Sequence, residues 1–328
     1  MNYIMPIVEQ LDRAAKELES DHPINNRLAL ILIDNAAELI VHQRCETQAR
    51  WSAQAAKLRE SKLTLRQRQM ARGRSLKEKL SVLRALDDIT DAEISFILTC
   101  HGYRNELYHL GLRHKNVVRV LSGEYFSFCC DIFRRFPPPL IFLPNARQLT
   151  DVGLRYLSED NPSSGHAFWH LDVETLASRL KASCPRLPNI RVTLANEANN
   201  IINEIERIFE IVVSDAPGQR KGAELLVDIL FYHAFRQKID DLGLDGLEWE
   251  AQNQLKILEV REELSKHWKP AYQEIPLAIW RQKASVILDE ESNMLALEHY
   301  RALCNEMAYL EENIKDALSE LEAWNDRD

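Results

Sequence analysis

The sequence predicts an all-α protein built from two helical parts. Only 10 glycines and 12 prolines interrupt the 328 residues, which favours helices over an architecture of strands and turns. Apolar residues recur at helical spacing through most of the chain. A composition of 45% hydrophobic and 28% charged residues is ordinary for a globular protein with a core. The length suits two domains, or one helical domain with a large extension.

The first part opens with two predicted helices. Residues 7–18 have the spacing of a short amphipathic helix. Asp21 and Pro23 are the residue types that start a helix, with Asp21 as the cap and Pro23 in the first turn. The segment that follows from Asn26 is apolar on nearly every side, which indicates a buried helix.

Three polar residues interrupt that apolar segment, namely Asp34, Asn35 and Glu38. A buried carboxylate costs free energy unless it is paired. We therefore expect Asp34 and Glu38 to have partners within the fold, to lie at an interface or to support a site.

Another helix begins at Thr90, because Thr90 and Glu93 have the spacing of a capping box. It is predicted to run to about residue 114, and a further helix covers about residues 116–136. Three prolines at 137–139 end that helix, since proline cannot continue one. We place a domain boundary near residue 145, between parts 1–145 and 146–328.

The second part, 146–328, is predicted to be helical and to carry no recognisable chemistry. The predicted helices cover residues 171–181, 192–213, 219–242 and 249–268, a region from 276, and residues 293–324. The last of these is acidic, because residues 289–328 carry a net charge of −9.

The charge of the first part is concentrated in one segment. Residues 50–84 contain eleven lysines and arginines against two glutamates, within a chain whose net charge is −9. Such a basic insert on an acidic body predicts contact with a polyanion such as RNA, plausibly a structured one such as tRNA. Its candidate RNA-binding residues are Arg66, Arg68, Arg72 and Arg74. The alternatives are a solvated helical arm, or one that docks on the acidic C-terminal helix.

Several function classes are not indicated. No apolar run approaches the roughly 20 residues that cross a bilayer. The N-terminal residues lack the features of a signal peptide. The six cysteines show no CxxC pairing, so neither a zinc knuckle nor a disulfide framework is expected. The expectation is a cytoplasmic protein with no metal, no cofactor and no membrane contact.

The most informative motif is Arg104-Asn105-x-x-x-His109. Arginine offers a fixed positive fork to a phosphate, and histidine exchanges protons near neutral pH. Together they can break an RNA backbone without a metal. His109 would act as general base or acid for attack of the 2′-OH, while Arg104 stabilises charge at the phosphorus. Asn105 shares a helix face with His109 and would orient the phosphate or the imidazole.

This motif resembles the signature of the HEPN family of α-helical domains, which is an arginine, four to six residues and a histidine. Family members commonly have a polar residue, often asparagine, directly after the arginine, as at Asn105. The apolar helix with Asp34 and Glu38 is also similar to the first long helix of that family. The resemblance covers about residues 20–140.

The resemblance implies a metal-independent endoribonuclease that acts as a homodimer and leaves 2′,3′-cyclic phosphate ends. It also implies a toxin of a toxin–antitoxin or anti-phage defence system, restrained by an antitoxin or a defence-complex protein. Some members carry a tyrosine two residues after the histidine, which a partner enzyme modifies. Gly111 stands there in this chain, so control would differ.

Each motif residue also has a structural interpretation. Arg104 could pair with Asp34 or Glu38, and His109 could be an ordinary core or surface histidine. Tyr108 could stack on a base or simply pack. The alternative function is a non-catalytic HEPN-like scaffold, or a sensing or binding subunit of a larger defence complex.

Overall fold

The computed structural model describes residues 4–57, 62–109, 115–136, 150–156, 172–215, 222–244 and 251–325. This part of the chain contains thirteen α-helices and no strand, so the all-α prediction is confirmed. The helices are α1 (Ile4–Glu19), α2 (Pro23–Lys57), α3 (Leu65–Arg72), α4 (Leu76–Ala85), α5 (Asp91–His109), α6 (Lys115–Arg135), α7 (Asp151–Tyr156), α8 (Val173–Ser183), α9 (Ile190–Asp215), α10 (Ala223–Asp241), α11 (Ala251–His267), α12 (Leu277–Asp289) and α13 (Asn293–Asn325).

Helices α1, α2 and α6 form the centre of the first compact unit. The apolar face of α1, including Ile7 and Leu11, is fully buried against α2. Ile33 of α2 and Phe126 of α6 are likewise inaccessible to solvent. Burying side chains of this size contributes roughly 1.5–3 kcal/mol each, so this packing fixes α2 as the helix on which the neighbouring elements are placed.

The basic segment forms a helical hairpin that packs on α2. Thr64 caps α3 in a capping box with Gln67, and the Ser75 hydroxyl accepts a hydrogen bond at the start of α4. Leu80 and Leu83 of α4 are fully buried. Because these apolar residues lie between the charged ones, the segment folds as a hairpin against α2 and not as a projecting arm.

The predicted capping box at the start of α5 is confirmed. The Glu93 amide donates to the Thr90 hydroxyl at 3.2 Å, and the Thr90 amide donates to the Glu93 carboxylate at 2.9 Å. Arg135, at the end of α6, pairs with the same carboxylate at 2.6 Å. These contacts fix where α5 begins, and with it the register of every residue on that helix.

The described helices cluster into two compact units, and the predicted boundary near residue 145 lies outside the described residues and stays a prediction. The first unit is Met1–Thr193 with Ser292–Leu295, and the second is Leu194–Glu291 with Ala296–Asp328. Helices α7 and α8 belong to the first unit, since Tyr156 donates to Asp12 of α1 at 2.7 Å and Lys181 pairs with Asp131 of α6 at 2.6 Å. The sequence pattern contained no prediction of the short helix α7.

The second unit is helical, as predicted. Trp280 of α12 is fully buried, and its indole N–H donates to Glu306 of α13 at 3.0 Å. Arg281 joins α12 to Glu206 of α9 at 2.6 Å. Within the described part of the chain, no helix is both long enough and apolar enough to span a membrane.

Candidate functional site

The site residues of the first unit lie where α5 packs against α2. Asp34 and Glu38 are one turn apart on α2, and His101 and Arg104 are three residues apart on α5. Each pair therefore lies on one face of its own helix, and these faces of α2 and α5 pack against each other. We call Asp34, Glu38, His101, Arg104 and the adjoining Tyr125 of α6 the Asp34 network.

Arg104 is held by both acids of α2. Its Nε donates to Asp34 Oδ2 at 2.8 Å, and its Nη2 donates to Glu38 Oε1 at 2.7 Å. Nη1 donates to the side-chain oxygen of the neighbouring Asn105 at 3.1 Å. The expectation that Arg104 could pair with these acids is therefore met in the contacts, and its guanidinium is preorganised with about 20% of the side chain exposed.

Asp34 is the buried centre of the network. Its side chain is completely inaccessible to solvent, and Oδ1 accepts a hydrogen bond from the Tyr125 hydroxyl at 3.1 Å. Burial is the main reason that the pKa of Tyr125 is raised well above its usual value, so this hydroxyl stays protonated and donates. From the sequence we expect a buried Asp34 to need partners, and the carboxylate has three polar ones.

His101 belongs to the network and was not among the predicted site residues. Its Nδ1 lies 3.0 Å from Asp34 Oδ2 and 3.4 Å from Glu38 Oε1. The hydrogen bond to Asp34 is the main reason that the pKa of His101 is raised, although burial opposes it. About 26% of the side chain is exposed, so the imidazole is open to solvent on one side. Its position three residues before Arg104 was the signal that could have identified it.

The structure describes the side chains of only some of the other motif residues. Asn105 is half-buried beside Arg104 and accepts its hydrogen bond. Tyr108 and His109 lie in the last turn of α5, but their side chains lie outside the described part of the structure, as does Gly111. The position of the predicted catalytic imidazole relative to Arg104 therefore remains a prediction.

The four predicted RNA-binding arginines do not share one environment. Arg66, Arg72 and Arg74 are exposed on the α3–α4 hairpin. Arg68 is half-buried, and its Nη1 donates to the backbone carbonyl of Leu63 at 3.1 Å. Arg68 therefore holds the turn before α3, and the three exposed arginines are the ones placed to meet a polyanion.

The Asp34 network also contains a set of metal-ligand types. Ligand atoms of Asp34, Glu38 and His101 lie within 4.8 Å of one another. Carboxylate and imidazole donors suit ions such as Zn²⁺ or Mn²⁺. The Arg104 guanidinium donates to the same two carboxylate oxygens, so a cation already takes the position that a metal ion would need.

Comparison with known proteins adds no family to this description. No protein-family model matches the chain, and neither a curated protein nor a solved structure is significantly similar to it. The HEPN resemblance therefore rests on the motif residues and the order of the first helices.

Proposed function

We propose that the protein is a metal-independent endoribonuclease that cleaves RNA by attack of a ribose 2′-OH, leaving 2′,3′-cyclic phosphate and 5′-OH ends. The observation that carries this proposal is the pairing of Arg104 and His101 by the buried Asp34 carboxylate at an open face of α5. A fixed guanidinium next to an oriented imidazole is suited to phosphoryl chemistry.

The geometry suggests a division of roles. Arg104 would stabilise negative charge on the two non-bridging oxygens of the pentacoordinate phosphorus, exchanging part of its contact with the more exposed Glu38 for the phosphate. Asp34 would keep its bond to Nε and hold the fork in place. Asn105 would orient the phosphate or the guanidinium.

The proton transfers require one acid and one base. The 2′-oxygen attacks phosphorus as its proton passes to a neutral histidine, and the bond to the 5′-oxygen breaks as that oxygen takes a proton from an imidazolium. His101 suits the second role, because the hydrogen bond that it donates to Asp34 raises its pKa and so favours the imidazolium. His109 of the motif would then be the base, on the same helix or from a partner subunit.

The proposed assembly and biology follow from the HEPN resemblance. Two copies of α5 would face each other across a cleft in a homodimer, and an antitoxin or defence-complex protein would restrain the nuclease. RNA, plausibly tRNA, would be held by the exposed arginines Arg66, Arg72 and Arg74. The proposed role is a toxin in a toxin–antitoxin or anti-phage defence system.

One observation favours a second candidate function, a non-catalytic scaffold or sensing subunit. Arg104 already donates to Asp34, Glu38 and Asn105 of its own chain. In this second function, the contacts of Arg104 serve to join α5 to α2 and have no part in a reaction. The scaffold would then use α5 for dimerisation and cleave nothing.

The test is cleavage of total RNA, and of one defined oligonucleotide, by the wild type and by Arg104→Ala, His109→Ala and His101→Gln, with EDTA present. Arg207→Ala, which changes an exposed arginine of α9, is the matched control. If the protein is this nuclease, we expect products with cyclic phosphate ends and no cleavage where the scissile 2′-OH is replaced by hydrogen. We also expect the three site variants to lose cleavage and the control to keep it.

Other outcomes separate the alternatives. Activity that disappears with EDTA and returns with a divalent ion would point to a metal at Asp34, Glu38 and His101. No cleavage by a folded, dimeric wild type, with or without the predicted partner proteins, would favour the scaffold. Equal cleavage by every variant would place the activity elsewhere and contradict the proposal.

A further inference from the structure

A cavity of about 360 Å³ lies between α1, α2 and the α3–α4 hairpin. Its wall includes two apolar side chains, Leu39 and Leu76, and the basic side chains His42, Arg74 and Lys79. Glu38 of the Asp34 network completes one side. The volume falls at the lower end of the range typical of small-molecule sites, and the lining combines apolar surface with a few convergent polar groups.

Lys79 is the unusual member of this wall. Only 7% of the residue is exposed, and no carboxylate of the described residues forms an ion pair with its ammonium group. Lysines are almost never buried to this degree without a partner, because the charge loses hydration and gains nothing in return. An anion in the cavity would supply the missing counter-charge.

Two neighbours, Arg74 and His42, add a second cation and a neutral hydrogen-bonding group to the cavity. Arg74 lies in the connection between α3 and α4 and is exposed, so it can close over a ligand at the mouth of the cavity. His42 is half-buried in the wall, and burial together with the nearby Lys79 charge lowers its pKa. A neutral imidazole can add a hydrogen bond without adding a second buried charge.

The one acid of this wall does not cancel the cations. The Glu38 carboxylate is already paired, because its Oε1 accepts a hydrogen bond from Arg104 Nη2 at 2.7 Å. Leu39 and Leu76 give the cavity an apolar surface against which a ribose or a base can lie. Charge and shape together point to a phosphate attached to a group of nucleotide size.

We propose that this cavity binds the phosphate of a single nucleotide unit, with Lys79 and Arg74 as its cationic ligands. The unit is either a free mononucleotide or one nucleotide of an RNA strand. Binding at this site does not require that the Asp34 network cleave RNA, so the two proposals stand or fall separately.

The test is calorimetric titration of the full-length protein with 5′-AMP, adenosine, inorganic phosphate and a short RNA oligomer whose 2′-O-methyl groups prevent cleavage. The variants are Lys79→Met, which keeps most of the unbranched stem and removes the ammonium group, and Arg74→Gln at the exposed mouth. Lys77→Gln is the matched control, since it removes the same charge from the exposed face of the hairpin outside the cavity wall. Circular dichroism checks that each variant folds.

We expect the wild type to bind AMP and to bind adenosine much more weakly. Lys79→Met should weaken AMP binding by about 10-fold or more, since a charge-assisted hydrogen bond is lost. Arg74→Gln should weaken it about 3-fold to 10-fold, and Lys77→Gln should leave it within about 2-fold.

The RNA oligomer distinguishes the two sources of the phosphate. If AMP does not bind but oligomer affinity falls in Lys79→Met and Arg74→Gln more than in Lys77→Gln, the cavity holds a nucleotide of the strand. If binding of neither AMP nor the oligomer depends on Lys79 and Arg74 beyond the effect of Lys77→Gln, the proposal is overturned. Lys79 would then only extend its aliphatic stem along the hairpin.

Discussion

The two polar regions beside α2 solve the problem of buried charge in opposite ways. In the Asp34 network, a completely buried carboxylate receives hydrogen bonds from Arg104, His101 and Tyr125. In the cavity beneath the α3–α4 hairpin, the nearly buried Lys79 has no carboxylate partner among the described residues. Within the part of the chain that the structure describes, the first region is therefore electrostatically complete, and the second lacks a counter-charge.

The two arrangements suit different functions, because one must give up a contact to a ligand and the other gains one. A complete network is rigid and orients its groups before substrate arrives, but a ligand must displace an existing contact, here that of Glu38 with Arg104. A cavity whose cation has no counter-charge among the described residues costs stability when empty, and this cost is recovered when an anion binds. The first arrangement suits a reaction, and the second suits binding.

The largest effect is expected from Arg104→Lys. Lysine keeps the positive charge but loses the planar fork that meets Asp34 and Glu38 together. If the network acts on a phosphate, cleavage should fall about 100-fold, comparable to removing one donor from a preorganised oxyanion site. The measurement is single-turnover cleavage of a defined RNA oligonucleotide under saturating enzyme. Unchanged cleavage in Arg104→Lys would show that the guanidinium of Arg104 does not act in the reaction.

Asp34→Asn should have the next largest effect, on stability. The amide leaves Arg104 and His101 without the buried negative charge that holds them, so the free energy of unfolding should fall by about 3 kcal/mol. The control is Asp131→Asn, which breaks an equally short but exposed pair with Lys181 and should cost about 0.5 kcal/mol. Urea unfolding followed by circular dichroism measures both. Equal losses would show that burial of Asp34 does not matter.

Lys79→Met should change stability in the opposite direction. Without added ligand, methionine removes the charge of a buried residue that has no carboxylate partner among the described residues, while keeping most of the apolar stem, so the free energy of unfolding should rise by about 1 kcal/mol. Added phosphate should stabilise the wild type and not the variant. The same urea experiment, with and without phosphate, checks this. A loss of stability in the ligand-free variant would show that Lys79 is well accommodated as a charge.

How much of this was predictable from sequence depends on whether the signal is local. Thr90 and Glu93 marked the start of α5 correctly, because a capping box is set by residues three apart. Asp34 and Glu38 were recognised as needing partners, because acids on an apolar helix violate its pattern. The side chain of His109 lies outside the described residues, so its predicted role is not tested by position.

What sequence reasoning missed depended on which helices meet. The spacing of His101 from Arg104 places both on one face of α5, but only the packing of α5 on α2 shows that this face meets Asp34. The boundary near residue 145 was predicted from the prolines at 137–139 and stays a prediction, whereas the contacts of α8 with α6 place α8 in the unit that reaches Thr193. An interruption of the helical sequence pattern marks the end of a helix, but only tertiary contacts decide whether a domain ends there.

The smallest effect is a dependence of stability on pH that originates at His101. Its pKa is raised in the folded state, chiefly by the hydrogen bond to Asp34, so the folded protein holds the proton more tightly than the unfolded chain. The resulting stabilisation is complete below the ordinary histidine pKa of 6.5, and it is lost as the pH rises through the higher folded value. Urea unfolding of the wild type and of His101→Gln across this window should show the difference between them shrinking toward alkaline pH. A difference that stays constant would mean that His101 contributes packing only. Such a result would remove the imidazolium that the proposed reaction needs to protonate its leaving group, and the general acid would have to be another residue.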